Sequence, residues 1–499
     1  MRTPAIIGLL LCGPITAAAQ ASPYIPLDDP RLPLFEHLVA RGEVSDPSPM
    51  VRPFRRADAL EALAAGDTLG APSRRLIEEL RAAWVQDTAT TSWSLAARVG
   101  ADGSTSDTRD LLHPVGNGSV RPYGELGGTL LAGPIVGVSR NAVEPRLTRD
   151  PDWPGRHDLT VVGRAPEAYL SGQWRYGRLF YGTMDRQWGP AGVPGIPLSP
   201  YGYPRTELAL EFGTPKVRLY AHAAELMDDR DSTGARIHRY WFAHRLSVRP
   251  SERLSVSLWE TTVISGADRN FDPRWRNPAA VLLLSDQYGL GADGNIMVGT
   301  DITWWSSRRL RLEGQFALDD LHYPHAGDTD HTPSRYAFTL AASGPLARTA
   351  VWKLLYTEAS SLAFRTLSPN ERYADGSVGL GRGYASNDQG SLFISLPVGA
   401  SLLVTPELTY LRQGDTRLTD PWPGAAAHAG DVPTLLIGPV EKTLRLALGV
   451  SGAYGELRAS GSAGLHYIAN ADHVAGRSRT ELQASTRITI GIGTGGRLQ

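Results

Sequence analysis

From Thr91 almost to its C-terminus the chain alternates apolar and polar residues with a period of two, and no other feature restricts its possible folds as much. Trp93, Leu95, Ala97 and Val99 interleave with Ser94 and Arg98. The same pattern runs through Lys216 to Ala223, Arg253 to Glu260 and Arg309 to Phe316. A period of two sends successive side chains to opposite faces, so these segments read as half-buried strands with one apolar and one mostly polar face.

The N-terminus indicates export. Met1 and Arg2 precede the apolar run Ala5 to Leu11, followed by Gly13-Pro14 and Ala17-Ala18-Ala19. That order is a secretory signal peptide, assigned here to residues 1–21 with cleavage after Ala19 or Ala21. Cys12 would suit a lipoprotein, but Leu11 before it is bulkier than a lipobox accepts. It is the single cysteine of the sequence, so the mature chain holds no disulfide. Beyond the signal, no apolar stretch approaches the roughly eighteen residues of a spanning helix. Two exported fates remain, a soluble periplasmic β-protein or an outer-membrane barrel. The mean hydropathy of −0.21 suits either, because a barrel alternates lipid-facing with lumen-facing residues. With Lys+Arg 50 against Asp+Glu 51, the formal net charge is −1, and no basic field exists to attract nucleic acid.

Residues 22–90 follow a helical period instead. Leu34, Phe35, Leu38 and Val39, then Leu60 and Leu63, then Leu76, Ile77, Leu80 and Trp84 predict three short amphipathic helices, the third capped at Ser73. Gly42, Pro47, Pro49, Gly66, Gly70 and Pro72 separate them. So small a unit must pack on something else.

Tight connections such as Gly213-Thr214-Pro215 and Arg249 to Glu252 intermix with long Asp-, Pro- and Gly-rich stretches at 101–118, 140–157, 265–293 and 413–440. Short turns at one end and long loops at the other describe a large antiparallel transmembrane β-barrel. A sandwich or propeller fits less well, since there is no blade period and the second strand face is persistently polar. Tyr169, Trp174, Tyr176, Tyr181, Tyr240, Trp241, Trp259, Trp304, Trp305, Tyr356 and Tyr410 are expected to form aromatic girdles at the membrane interfaces. The last residues, Thr489 to Gln499, depart from the pattern by lacking a terminal aromatic.

Three segments resemble the Wzi-type capsule assembly family. They are Tyr24 to Asp28 with Leu34 to Leu38 and Arg52 to Asp58; Arg186-Gln187-Trp188-Gly189-Pro190 with Pro197-Leu198-Ser199 and Tyr203-Pro204; and His238 to Glu260, leading to Leu318-Asp319-Asp320. The resemblance is one of pattern, spread with gaps over most of the mature chain. It implies a barrel of about eighteen strands over 91–499 with a small N-terminal α-helical bundle over 22–90 on the periplasmic side. It also implies binding of capsular or other surface polysaccharide, a lectin role without bond chemistry.

Sugar binding requires flat apolar faces and planar hydrogen-bonding groups. Arg186, Trp188, Arg205, Arg239, Trp241, Asp319 and Asp320 are the residues expected to supply them. Gly189 and Pro190 also suit an inward fold or a strand end, and that structural reading of their segment is the stronger one. Only Lys216, Lys353 and Lys442 are lysines; arginine is the better partner for acidic sugars, although GC-rich codon usage explains the bias at least as well.

Other chemistry finds little support. No G-x-S-x-G elbow occurs, and Gly289 to Gly294 precedes a strand pattern rather than a helix. His322, His325 and His331 with Asp328 and Asp330, and the run Asp228-Asp229-Arg230-Asp231, read as solvated loops, so neither metal nor cofactor is expected. The leading expectation is a non-enzymatic outer-membrane barrel with surface polysaccharide and lipid as partners. The alternatives are a porin for small solutes and an envelope anchor whose helices grip peptidoglycan.

Overall fold

The computed structural model describes residues 20–66, 71–86, 91–106, 109–112, 118–271, 277–281, 294–321, 332–423 and 432–497. Most of the expected signal peptide, the His322 to His331 cluster and Gly289 to Asp293 lie outside them.

Eighteen strands, each antiparallel to its neighbours, close into one barrel. In chain order they are β1 (Thr91–Ser104), β2 (Ser119–Ala132), β3 (Ile135–Val143), β4 (Gly163–Trp174), β5 (Gly177–Thr183) and β6 (Thr206–Gly213). They continue as β7 (Val217–Arg230), β8 (Arg236–Ser251), β9 (Leu254–Gly266), β10 (Gly294–Ser307), β11 (Leu310–Asp320) and β12 (Arg335–Pro345). The last are β13 (Val351–Ala359), β14 (Asn387–Val398), β15 (Leu402–Gln413), β16 (Glu441–Tyr454), β17 (Leu457–Ala469) and β18 (Ser478–Arg497). Short links such as 133–134, 175–176 and 252–253 alternate with long ones such as 144–162, 184–205 and 360–386. The strands reach a few residues further into the long stretches than the sequence pattern indicated, β1 to Ser104 and β3 to Val143. β18 closes the barrel on β1, with Ser92 to Ser104 paired to Arg497 to Ser485, so the unusual C-terminal segment is the closing strand itself.

The period of two decides which side chain meets lipid. Leu95, Leu126, Leu170, Leu258, Leu340, Leu446, Leu482 and Ile492 are exposed on the outside. An apolar surface this continuous is a lipid-contact face, and the chain is a transmembrane barrel. Trp174, Tyr176, Tyr181, Trp304, Tyr356 and Tyr410 are exposed as girdle residues should be. Tyr169, Tyr240, Trp241 and Trp259 are not: all four are buried. Tyr169, Trp241 and Trp259 sit at inward positions of their strands. Tyr240 points outward but is covered by Phe271, ring centroids 5.7 Å apart, where the link after β9 folds back over the wall.

A barrel of this strand number encloses a space wide enough for an aqueous channel unless something fills it. Here the chain fills much of it. One buried cluster joins Trp241, Trp259, Met297 and Ala317 of the wall to Trp188, Ile196 and Leu198 of link 184–205 and to Phe364, Tyr373 and Leu380 of link 360–386. Both links fold inward. Trp188 pairs back onto Leu198 across the loop, and the two-residue strand Val51–Arg52 pairs with Gln187–Trp188. Gly381 is required where the links meet, because a Cβ there would collide with the Ile196 carbonyl.

The N-terminal unit contains α1 (Leu32–Ala40), α2 (Arg56–Ala64) and α3 (Ala71–Trp84). Because α3 already begins at Ala71, Ser73 lies inside its first turn and is not its cap; Pro72 suits that turn, whose N–H groups have no intrahelical acceptor. Phe35 packs on Phe54 and Trp84, with ring centroids at 5.3 and 5.8 Å, and Leu403 of β15 completes the cluster. The unit thus docks against the barrel wall, and parts of it run inside. The Ser22 N–H donates to Gln173 at 3.0 Å and the Tyr24 N–H to the Tyr169 hydroxyl at 3.1 Å. Arg52 grips Glu36 through two hydrogen bonds of 2.5 and 3.0 Å, and Asp46 accepts from Arg52 at 3.2 Å and from Arg311 of β11 at 2.7 Å.

His37 of α1 makes this docking pH-dependent. It is buried, 2.7 Å from the Ser395 hydroxyl through Nδ1, and burial, reinforced by the charge of Arg41, lowers its pKa to about 4. The undocked histidine binds its proton near pH 6.5, the docked one only near 4, so docking is strongest above 6.5. It weakens as pH falls through that window, by at most about 1.4 kcal/mol per pH unit. Hydrogen exchange of α1, divided by the intrinsic amide rate at each pH, should show a lower protection factor at pH 5 than at pH 7, and H37Q should flatten the difference. An α1 equally protected at both would contradict this account.

Candidate functional site

Four long links converge on the end of the barrel opposite the helices. Arg109 of link 105–118 is the hub. Its guanidinium bonds Asp150 of link 144–162 through Nη2 at 2.7 Å and Nε at 3.1 Å, and donates to the Tyr201 carbonyl at 2.8 Å. It also lies 4.6 Å from the centroid of the Tyr203 ring. Trp153 meets Tyr203 edge to face at 4.8 Å. The Tyr203 hydroxyl donates to Asp150 at 2.5 Å, and the Tyr201 hydroxyl reaches Tyr384 of link 360–386 at 2.9 Å. Burial alone would raise the Asp150 carboxyl, but the hydrogen bonds and charge of Arg109 with the Tyr203 hydroxyl hold it below the usual carboxylate range, so it is ionised at neutral pH. Trp153, Tyr203, Tyr384 and Asp152 are half-buried. The indole N–H of Trp153 is buried with no hydrogen-bond partner. The result is a rigid shelf of aromatic faces set among planar charged groups, with one donor unsatisfied.

The seven residues singled out by sequence fall elsewhere, and three of them converge. Arg239 is fully buried and donates to the carbonyls of Asn370, Arg372 and Ala374 at 2.6 to 2.9 Å. Trp241, also fully buried, donates to the Tyr373 hydroxyl at 3.0 Å. Asp319 accepts the Phe364 N–H at 3.0 Å. All three hold link 360–386 inside the barrel. Trp188 packs edge to face on His222 at 5.2 Å, in the middle of the plug. Arg186 pairs with Glu207 and lies over Phe180 at 4.5 Å. Arg205 faces Asp375 at 3.6 Å, and Asp320, with a 55% exposed side chain, pairs with Arg335 at 2.6 Å.

The Asp228 run is not a loop, because Asp228, Asp229 and Arg230 end β7, where Asp229 and Arg230 pair with β8. Arg236 holds Asp228, and Arg372 takes Asp229 through hydrogen bonds of 2.6 and 3.0 Å. Asp228 can approach Glu225 and His238 with ligand atoms within 4.8 Å, but the arginine already neutralises it.

Of the mouth residues, sequence reading touched only Tyr203, within the Tyr203-Pro204 segment. Asp150-Pro151-Asp152-Trp153-Pro154 carried the available signal, an aromatic between acids and prolines in a long link. Arg109 and Tyr384 carried none, since only the folded links bring them together.

Fold and geometry define a class: a closed eighteen-stranded membrane barrel, largely filled by its own chain, with an aromatic and charged shelf at its mouth. No protein-family model and no curated protein matches the sequence. Among solved structures the chain is similar to Wzi, an outer-membrane protein involved in group 1 capsule assembly in Escherichia coli and described as a carbohydrate-binding β-barrel. That match has 13% identity, a TM-score of 0.63, and covers 94% of this chain and 99% of that one. OprD of Pseudomonas aeruginosa matches with 12% identity and a TM-score of 0.43, covering 81% and 95%. OccAB4 of Acinetobacter baumannii matches with 9% identity and a TM-score of 0.45, covering 82% and 99%. The Wzi likeness is one of fold, the fold that the family resemblance implied.

Proposed function

We propose that this protein is exported to the outer membrane and there binds an acidic surface polysaccharide at its outer mouth, attaching the polymer to the cell without chemical change. The shelf carries this reading: Trp153 and Tyr203 offer faces for sugar C–H groups, and Asp152 and Tyr384 offer partners for hydroxyls. Arg109, 4% exposed and paired with Asp150 and Asp152, holds the Tyr203 ring in place from beneath. Of the seven sequence candidates, Arg205, adjoining the Tyr203-Pro204 turn, and the exposed Asp320 are assigned direct contact with the polymer. Arg239, Trp241 and Asp319 position link 360–386, while Trp188 and Arg186 position link 184–205.

Detergent-purified protein tested against a glycan array and host polysaccharide extracts should retain acidic polymers. W153A should weaken that binding by about 2 kcal/mol, roughly thirtyfold in Kd. Failure to retain any acidic polymer would overturn the reading. A small-solute porin is the second reading, favoured by the space that the plug leaves beside one wall.

A further inference from the structure

The plug packs tightly on β8 to β11 but not on the opposite wall. There, two cavities of about 160 and 340 Å³ adjoin along β17, β18, β1, β2 and β3, and both are lined by Asp28, Ser460 and Arg487. Ala96 and Gly127 leave the room, because these inward wall positions carry small side chains where the opposite wall carries tryptophans. The Asp28 side chain keeps 40% of its exposure, so water enters the space.

Charge along this groove is uneven. Arg140 is held by Asp28 at 2.9 Å, Glu167 at 2.9 Å and Glu125 at 3.3 Å. Arg98 pairs with Glu125 at 2.5 Å, and Arg487 with Asp102 at 3.3 Å and Glu144 at 3.5 Å. Arg56 and Arg458 line the smaller cavity too, yet among the described residues neither forms an ion pair. Arg56 Nε is buried and has no hydrogen-bond partner. Arg56, from α2, and Arg458, from β17, thus face the cavity without a carboxylate partner among the described residues. A guanidinium withdrawn from water without a partner is costly, and a planar carboxylate is the group that matches it in charge and geometry. The smaller cavity is also lined by Ser94, Thr129 and Ser460, whose hydroxyls suit a hydroxylated guest.

We infer that this groove binds a small hydroxylated carboxylate, of the uronic acid class, with its carboxylate between Arg56 and Arg458. The larger cavity reaches the mouth links at Arg146 and Pro200, but the smaller one, where Arg56 and Arg458 lie, does not, and its guest does not depend on the polymer reading; either can fail while the other stands.

Isothermal titration of the full-length protein in detergent micelles tests it, with galacturonate, galactose and inorganic phosphate as separate titrants. Galacturonate should bind saturably, and galactose and phosphate much more weakly. R458Q should weaken galacturonate binding at least about tenfold. T489E is the second variant: Thr489 is directly paired with Arg458 across β17 and β18, so a glutamate there would supply the missing carboxylate from within and also abolish binding. Folding of each variant is checked by its heat-modifiable gel mobility; if R458Q does not fold, T489E decides. Absence of saturable galacturonate binding, equal binding of galactose or phosphate, or indifference to both variants would overturn the assignment.

Discussion

Replacing residues 187–199 by a short glycine-serine linker is expected to turn a barrel that passes little current in planar bilayers into one with large, steady channels. The segment supplies Trp188, Ile196 and Leu198 to the lumen cluster and pairs with Val51–Arg52, so its loss removes the centre of the plug and one anchor of the N-terminal unit. The eighteen-stranded wall keeps its own hydrogen-bonded ladders, and a barrel of this size emptied of side chains holds a water column. Single-channel recording of both proteins makes the test. Unchanged conductance in the variant would show that the lumen is blocked elsewhere. Large steady channels in the unmodified protein would sink the polysaccharide reading in favour of a porin.

The substitution D301A is expected to destabilise the barrel by about 3–5 kcal/mol. Asp301 of β10 pairs with Arg245 of β8, with side chains 1% and 0% exposed. It also accepts from Trp259 at 3.0 Å and from Gln315 at 2.9 Å, and Gln315 in turn bonds the Trp188 carbonyl at 3.0 Å and the Ile196 N–H at 2.8 Å. One carboxylate therefore ties adjacent wall strands to the plug. Removing it leaves a buried guanidinium without its carboxylate beside Trp188, 5.5 Å from the ring. Urea unfolding in micelles followed by tryptophan fluorescence should show a large drop in midpoint for D301A and a smaller one for D301N, which retains an acceptor. A D301A protein within about 1 kcal/mol of the parent would mean that the network contributes little.

The strands were legible because a barrel wall separates lipid from lumen at every residue, and Leu95, Arg98 and Val99 already declare their sides. The helices were legible for the same reason at a different period. What could not be read was the identity of the second face. Trp241 and Tyr240 look alike as girdle residues at a strand end, yet one meets Tyr373 of a link more than a hundred residues away and the other meets Phe271 outside the wall. Arg239, Trp241 and Asp319 have the chemistry of a sugar site, and the inward link 360–386 uses that chemistry for its own carbonyls and amides. Residue type reveals what a group can bind; whether the chain itself occupies that capacity depends on contacts between distant segments. The mouth shelf escaped notice for the converse reason, its members being scattered over four links.

The seam between β1 and β18 sets the order in which this molecule can be made. Strand one can pair with strand two early, but its other edge stays open until strand eighteen has been made, so the wall is an open sheet until then. The N-terminal unit binds both halves of the wall, Tyr169, Gln173 and Arg178 in the earlier one and Arg311, Ser395 and Leu403 in the later. Plug and wall are therefore mutual scaffolds that mature together once strand eighteen is in place, and loss of that strand should cost the whole assembly rather than one edge of it.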